Sequence, residues 1–133
     1  MSDSNDATLD DLDFEQLVRT ERAQVAIARA LLPQIDELPL PKRARFEAIM
    51  GRWCDGVRLT PDMFNGNEGR SPGGILLQTF KGFKIRLYGF ARTVSSKRTF
   101  LIVDIDPAKK QDKADQNILK RAKRRVDEIG KGK

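Results

Sequence analysis

Lys84, Arg86 and Tyr88 alternate with apolar residues along the run Phe83-Lys84-Ile85-Arg86-Leu87-Tyr88-Gly89-Phe90. In an extended strand this spacing sends Phe83, Ile85 and Leu87 to one face. The two cations and the phenol go to the other, about 7 Å apart. Such a row suits a phosphodiester. Lysine and arginine can neutralise the extra negative charge of a pentacovalent phosphorus transition state. A tyrosine can move a proton or stack on a base. Arg92, just beyond the run, and Arg98, entering the next apolar run, could join the same face. The simpler use of the pattern is a sheet face whose polar residues only meet water.

Two further groupings carry possible chemistry. Asp104-Ile105-Asp106 could hold a divalent metal, but no third acidic or imidazole ligand accompanies it, and Lys109 and Lys110 compete for its carboxylates. Salt bridging by Asp104 and helix capping by Asp106 are therefore expected, with no metal or cofactor. Lys109, Lys110 and Lys113 precede a segment in which Lys120, Lys123 and Arg124 share a helix face, with Arg121 at its edge. The opposite face carries Ile118, Ala122, Val126 and Ile129. A helix this cationic either tracks phosphates or is a solvated surface.

Composition narrows the classes. The 133 residues contain no histidine, which excludes Ser-His-Asp and Cys-His nucleophiles and imidazole metal sites. A single cysteine, Cys54, excludes an internal disulfide framework. Residues 1–80 carry 9 basic and 13 acidic groups, whereas residues 81–133 carry 16 basic and 6 acidic, so the net charge of +6 hides a strongly basic second part. Nucleic acid is the natural partner for such a part. No apolar run reaches the length of a membrane span, and the acidic start lacks the regions of a signal peptide. A cytoplasmic protein without a membrane partner is expected.

The elements that must position these residues form an α+β arrangement. Residues 1–10 read as an acidic disordered leader, and 11–133 as a single domain. Helices are expected over 11–55. The first carries Phe14, Leu17, Val18, Val25, Ala28, Leu31 and Leu32 and ends at Pro33; the second starts near Pro41 and carries Phe46, Ile49, Met50 and Trp53. A Gly/Asn/Pro-rich loop covers 56–74, without the spacing of a phosphate-binding loop. A three-stranded antiparallel meander follows over 75–106, with strands at 75–80, 83–90 and 99–105 and turns at 81–82 and 93–97. The basic helix spans 112–129.

Lys84-Ile85-Arg86-Leu87-Tyr88-Gly89-Phe90, the strand after it, Lys109-Lys110-Gln111-Asp112-Lys113 and the interval from these lysines to Ala122 together resemble the RelE/HigB superfamily of type II toxins, especially phage-associated members. The resemblance covers roughly residues 74–128. It implies a RelE-like fold with two N-terminal helices, a three-stranded meander and a basic C-terminal helix. It also implies a metal-independent endoribonuclease that cuts translated mRNA on the ribosome and is restrained by a cognate antitoxin protein. Under it Lys84 and Arg86 hold the scissile phosphate, Arg92 adds charge stabilisation and Tyr88 is the acid/base candidate. Lys109, Lys110 and Lys113 hold RNA backbone under it, and the cationic helix face of Lys120, Lys123 and Arg124 is expected to bind nucleic acid by its charge. In the family a strand normally precedes the two helices, and none is legible in the acidic opening of this chain. The alternative is a noncatalytic nucleic-acid-binding or regulatory protein of phage origin on the same basic fold.

Overall fold

The computed structural model describes residues 7–107 and 115–130, so Lys109, Lys110 and Lys113 lie outside the described residues. So do residues 1–6 of the expected leader. Thr8 already caps one helical turn, α1 (Leu9–Leu12): its hydroxyl accepts from the Asp11 N–H, and the Asp11 carboxylate accepts from the Thr8 N–H. Asp13, in the left-handed region at φ 66°, then turns the chain.

The helix expected from residue 11 to Pro33 is replaced by a hairpin of β1 (Phe14–Arg19) and β2 (Ala23–Ala28). Its turn is organised by Thr20, whose hydroxyl accepts from the N–H groups of Arg22 and Ala23. Two features disguised these strands. A bulge between Gln16 and Val18 breaks the two-residue alternation of β1. β2 is covered on both faces, so it shows no alternation at all. Only a 3-10 turn at Arg29–Leu31 and the short α2 (Leu32–Asp36) remain helical before the second expected helix, which is present as α3 (Leu40–Cys54).

The expected meander is present but shifted, and it forms part of a larger sheet. Its strands are β4 (Gln78–Gly82), β5 (Ile85–Val94) and β6 (Lys97–Asp106), preceded by the two-residue β3 (Phe64–Asn65). The six-stranded sheet runs β1-β2-β6-β5-β4-β3, with β2 parallel to β6 and the other neighbours antiparallel. The α+β class therefore holds, with six strands in place of three. Strand β4 runs through Gly82, so the tight turn falls on Phe83 and Lys84, both at positive φ (54° and 65°), rather than on residues 81–82. The basic helix is α4 (Gln116–Gly130).

The sheet is buried on both sides. Against α3 it packs Val25, Ile27, Phe80, Leu87, Phe100 and Ile102, which meet Phe46, Ile49, Met50 and Trp53. Phe80 and Phe100 lie 4.7 Å apart in edge-to-face contact, and Trp53 stands on Phe100 at 5.6 Å. On the other side Phe14, Ala26, Leu77, Tyr88, Phe90, Leu101 and Val103 receive Ala122 and Val126 of α4.

Candidate nucleic-acid interface

The alternation read for Phe83 to Tyr88 holds only from Ile85 onward, because Phe83 and Lys84 form the turn, and the polar face is not open. Ile85 and Leu87 enter the α3-side core, while Tyr88 lies under α4 with no exposed surface. The apolar stripe of α4 needed a sheet face, and the face bearing Tyr88 and Phe90 is the one it took. In the ladder Tyr88 stands between Thr79 of β4 and Asp104 of β6. Its hydroxyl is buried and has no hydrogen-bond partner among the described residues. Burial pushes the phenol's pKa well above its ordinary value; Glu68, Asp106 and Asp115 act in the same direction and Arg86 opposes them. The Tyr88 expected to exchange protons with a substrate is therefore enclosed and held neutral.

Asp104 makes the ion pair expected of it. A bulge opposite Tyr88 and Gly89 adds one residue to β6, so the consecutive residues Val103 and Asp104 both face α4. The Asp104 carboxylate, 1% exposed, accepts from Arg121 Nε and Nη2, both at 2.7 Å, and Arg125 Nη1 lies 3.2 Å away. Asp106, also buried, accepts from the N–H of Asp115. Asp115 in turn caps α4, accepting from the N–H groups of Asn117 and Ile118. These carboxylates hold the basic helix on the sheet. Among the described residues no group of three or more possible ligands could hold a metal ion.

The structure brings some of the expected site residues together and separates others. Lys84 is exposed in the β4–β5 turn and Arg86 is half-buried two residues further on. Arg92 lies six residues beyond Arg86, about 20 Å along the strand. There it donates to the Ile129 carbonyl at the C-terminal end of α4, so it adds no charge to the Lys84–Arg86 end. Arg98 lies on the opposite side of the sheet. Its guanidinium stacks 3.6 Å from the Trp53 ring centre and donates to the Trp53 carbonyl in the last turn of α3. On α4, Lys120 and Arg124 are exposed and Lys123 leans over Gly69. Arg121, expected only at the edge of the basic face, is a structural ligand of Asp104.

Sequence reasoning missed Phe83. Expected on the strand face of Ile85 and Leu87, it is half exposed at the turn, its ring edge-on to Phe46 at 6.3 Å and Lys42 Nζ 5.3 Å from its centre. The acidic opening has a local partner as well: Asp10, Asp13 and Glu15 converge on the guanidinium of Arg29. No helix among the described residues is long and apolar enough to cross a membrane. No protein-family model matches the chain, and neither a curated protein nor a solved structure is significantly similar to it.

The environment of Tyr88 predicts a pH dependence. Burial raises the Tyr88 pKa and lifts that of the Cys54 thiol from 9.0 to about 11. Both groups ionise more readily in the unfolded chain, so their contribution to stability is complete below their unfolded pKa values and fades as pH rises. For Cys54 the window runs from 9.0 to about 11; for Tyr88 it opens near the unfolded value of 10.0. Urea unfolding midpoints should fall across this range, and less steeply in Tyr88→Phe. At neutral pH that variant, which deletes an unpartnered buried hydroxyl, should gain about 1 kcal/mol. Tyr88 is the sole tyrosine, so phenolate absorbance reports on it alone. Ionisation of the folded chain near pH 10 would contradict its enclosure.

Proposed function

We propose that the protein is a RelE/HigB-like toxin, a metal-independent endoribonuclease that cuts translated mRNA, with its phosphate-contacting surface at the β4–β5 turn and along the outer face of α4. The observation that carries this reading is the position of Lys84 and Arg86. Lys84 is exposed in the turn that leads into the central strand β5, and Arg86 is the second residue of that strand, opposite Asp106 of β6. A strand ahead of the helices, not legible in the sequence, is also present: β2 precedes α2 and α3 and lies parallel to β6.

In the chemistry proposed, the RNA 2′-oxygen attacks phosphorus and the P–O5′ bond breaks. The products are a cyclic phosphate and a 5′-hydroxyl, with the 2′-hydroxyl proton formally returned to O5′. Lys84 and Arg86 stabilise the charge that builds on the phosphoryl oxygens. Tyr88, being enclosed, takes no part in proton transfer in this arrangement, and Arg92 secures α4. A cognate antitoxin protein and the ribosome are the partners this reading requires.

The enclosure of Tyr88 favours a second reading, a noncatalytic RNA-binding protein on the same surface. The two separate on induction in cells, with mRNA 5′ ends mapped beside a Lys84→Ala/Arg86→Ala control. Growth arrest with new in-frame cuts that vanish in the control is the expected result, with Tyr88→Phe still cutting. Normal growth and intact mRNA, from folded and abundant protein, would leave only the binding function.

A further inference from the structure

The turn between β4 and β5 is built from residues that fit it poorly. Two-residue hairpin turns with both residues at positive φ are normally filled by Asn, Asp or Gly. Here Phe83 and Lys84 occupy them at 54° and 65°, a conformation that bulky residues rarely hold. Strain of this kind persists where the residue has another use. The ring of Phe83 is not consumed by packing, because half of the residue remains in water. Leu40, Val57 and Phe83 are the exposed large apolar residues among those described, and Phe83 is the one aromatic.

Its neighbours are cations. Lys84 is exposed beside it, and Lys42 from α3 stands at the ring with Nζ 5.3 Å from the centre. Lys81, two residues before, is turned to the Pro61 carbonyl. Asp62 is an acidic group that feels Lys81. The Thr60 hydroxyl, then Arg45 and Lys81, hold its carboxyl below its ordinary pKa, so the acid is already matched by cations. Phe46 supports the ring edge-on, which fixes its plane without covering it.

We propose that Phe83 is a base-stacking platform for single-stranded RNA, with Lys42 and Lys84 receiving the phosphates on either side of the stacked nucleotide. This rests on the RNA reading above and names the form of RNA the site takes. An aromatic ring amid lysines recognises any unpaired base through its π-face, whereas a duplex keeps its bases enclosed and offers only backbone. The turn therefore selects unpaired RNA, and Phe83 holds the strand beside Lys84 and Lys42, at the α3 side of the sheet.

The test is a fluorescence anisotropy titration of the full chain with a short labelled oligoadenylate and with a labelled RNA duplex. Phe83→Asn suits the turn but deletes the ring. Phe83→Trp keeps a stacking surface, and Lys84→Ala/Arg86→Ala removes charge. Phe83→Asn should melt at or above the wild-type temperature, bind the single strand about tenfold more weakly and leave duplex binding within about twofold. Phe83→Trp should bind as wild type, and the double-alanine variant should lose affinity for both RNAs. If Phe83→Asn binds the single strand like wild type while the double-alanine variant does not, stacking is wrong and the RNA surface stands. Equal losses on single strand and duplex also overturn stacking, making Phe83 a residue that only shapes the turn. Wild-type protein that binds neither RNA would overturn the RNA reading and this inference with it.

Discussion

Replacing Arg121 and Arg125 together by alanine is expected to destabilise the fold by about 3–5 kcal/mol, the range for removing the partners of a buried charge. Replacing Asp104 by alanine should cost only about 1–2 kcal/mol, although it breaks the same ion pairs. The asymmetry follows from exposure. Asp104 is 1% exposed, while the arginine side chains are 42% and 40% exposed. Without Asp104 the guanidiniums swing into water. Without the arginines the carboxylate stays beneath α4 with no cation against it. Arg121→Ala alone should fall between the two, because Arg125 Nη1 remains 3.2 Å from the carboxylate. Alanine is the best helix former, so a loss in the double variant cannot be charged to helix propensity. Urea unfolding of the four chains measures the order directly. A double variant no less stable than Asp104→Ala would mean that water reaches the carboxylate and that α4 is held by its apolar stripe alone.

That ion pair also marks where the sequence was legible and where it was not. The strands of the meander, α3, and α4 with its Ile118, Ala122, Val126 and Ile129 stripe follow from local periodicity; that Asp104 would salt-bridge was expected, but its partners are Arg121 and Arg125 of α4, not the chain neighbours Lys109 and Lys110. What periodicity cannot supply is which elements meet. β2 finds its place through parallel pairing with β6, from Ala23 opposite Arg98 to Ile27 opposite Ile102, contacts more than 70 residues apart in the chain. Buried on both faces, its Ala-Gln-Val-Ala-Ile-Ala text suits a helix as well as a strand. The same blindness affected the candidate site. Tyr88, beside Arg86, reads as a surface phenol only while α4 is treated as a separate basic element. An amphipathic helix with an apolar stripe must cover something, and Tyr88-Gly89-Phe90 was the uncovered apolar surface available to it. Phe83 was misplaced by a smaller error, since Lys81-Gly82 looks like the turn and the turn lies two residues later.

The opposite end of the effect scale from a surface charge is Gly89, in the interior of β5 between Tyr88 and Phe90. Gly89→Ala is expected to destabilise the fold by about 3 kcal/mol or more. A Cβ there would lie 2.1 Å from the Leu101 carbonyl oxygen and 2.6 Å from Phe100 Cε1. The first of these is backbone of the neighbouring strand. It can yield only if β5 and β6 separate at the bulge that turns Val103 and Asp104 together toward α4. Gly51 supplies the control. It lies inside α3, where a Cβ would meet nothing within 4 Å, so Gly51→Ala should gain about 0.5–1 kcal/mol from reduced backbone freedom in the unfolded chain. Thermal and urea unfolding of the two variants should therefore move in opposite directions. The consequence reaches the site, because the bulge at Gly89 is what places Asp104 under Arg121. A methyl group at position 89 should release α4 and expose Tyr88, making its phenolate appear at lower pH. A Gly89→Ala chain as stable as wild type would show that the strand pair can open without loss, and that packing does not require glycine at this position.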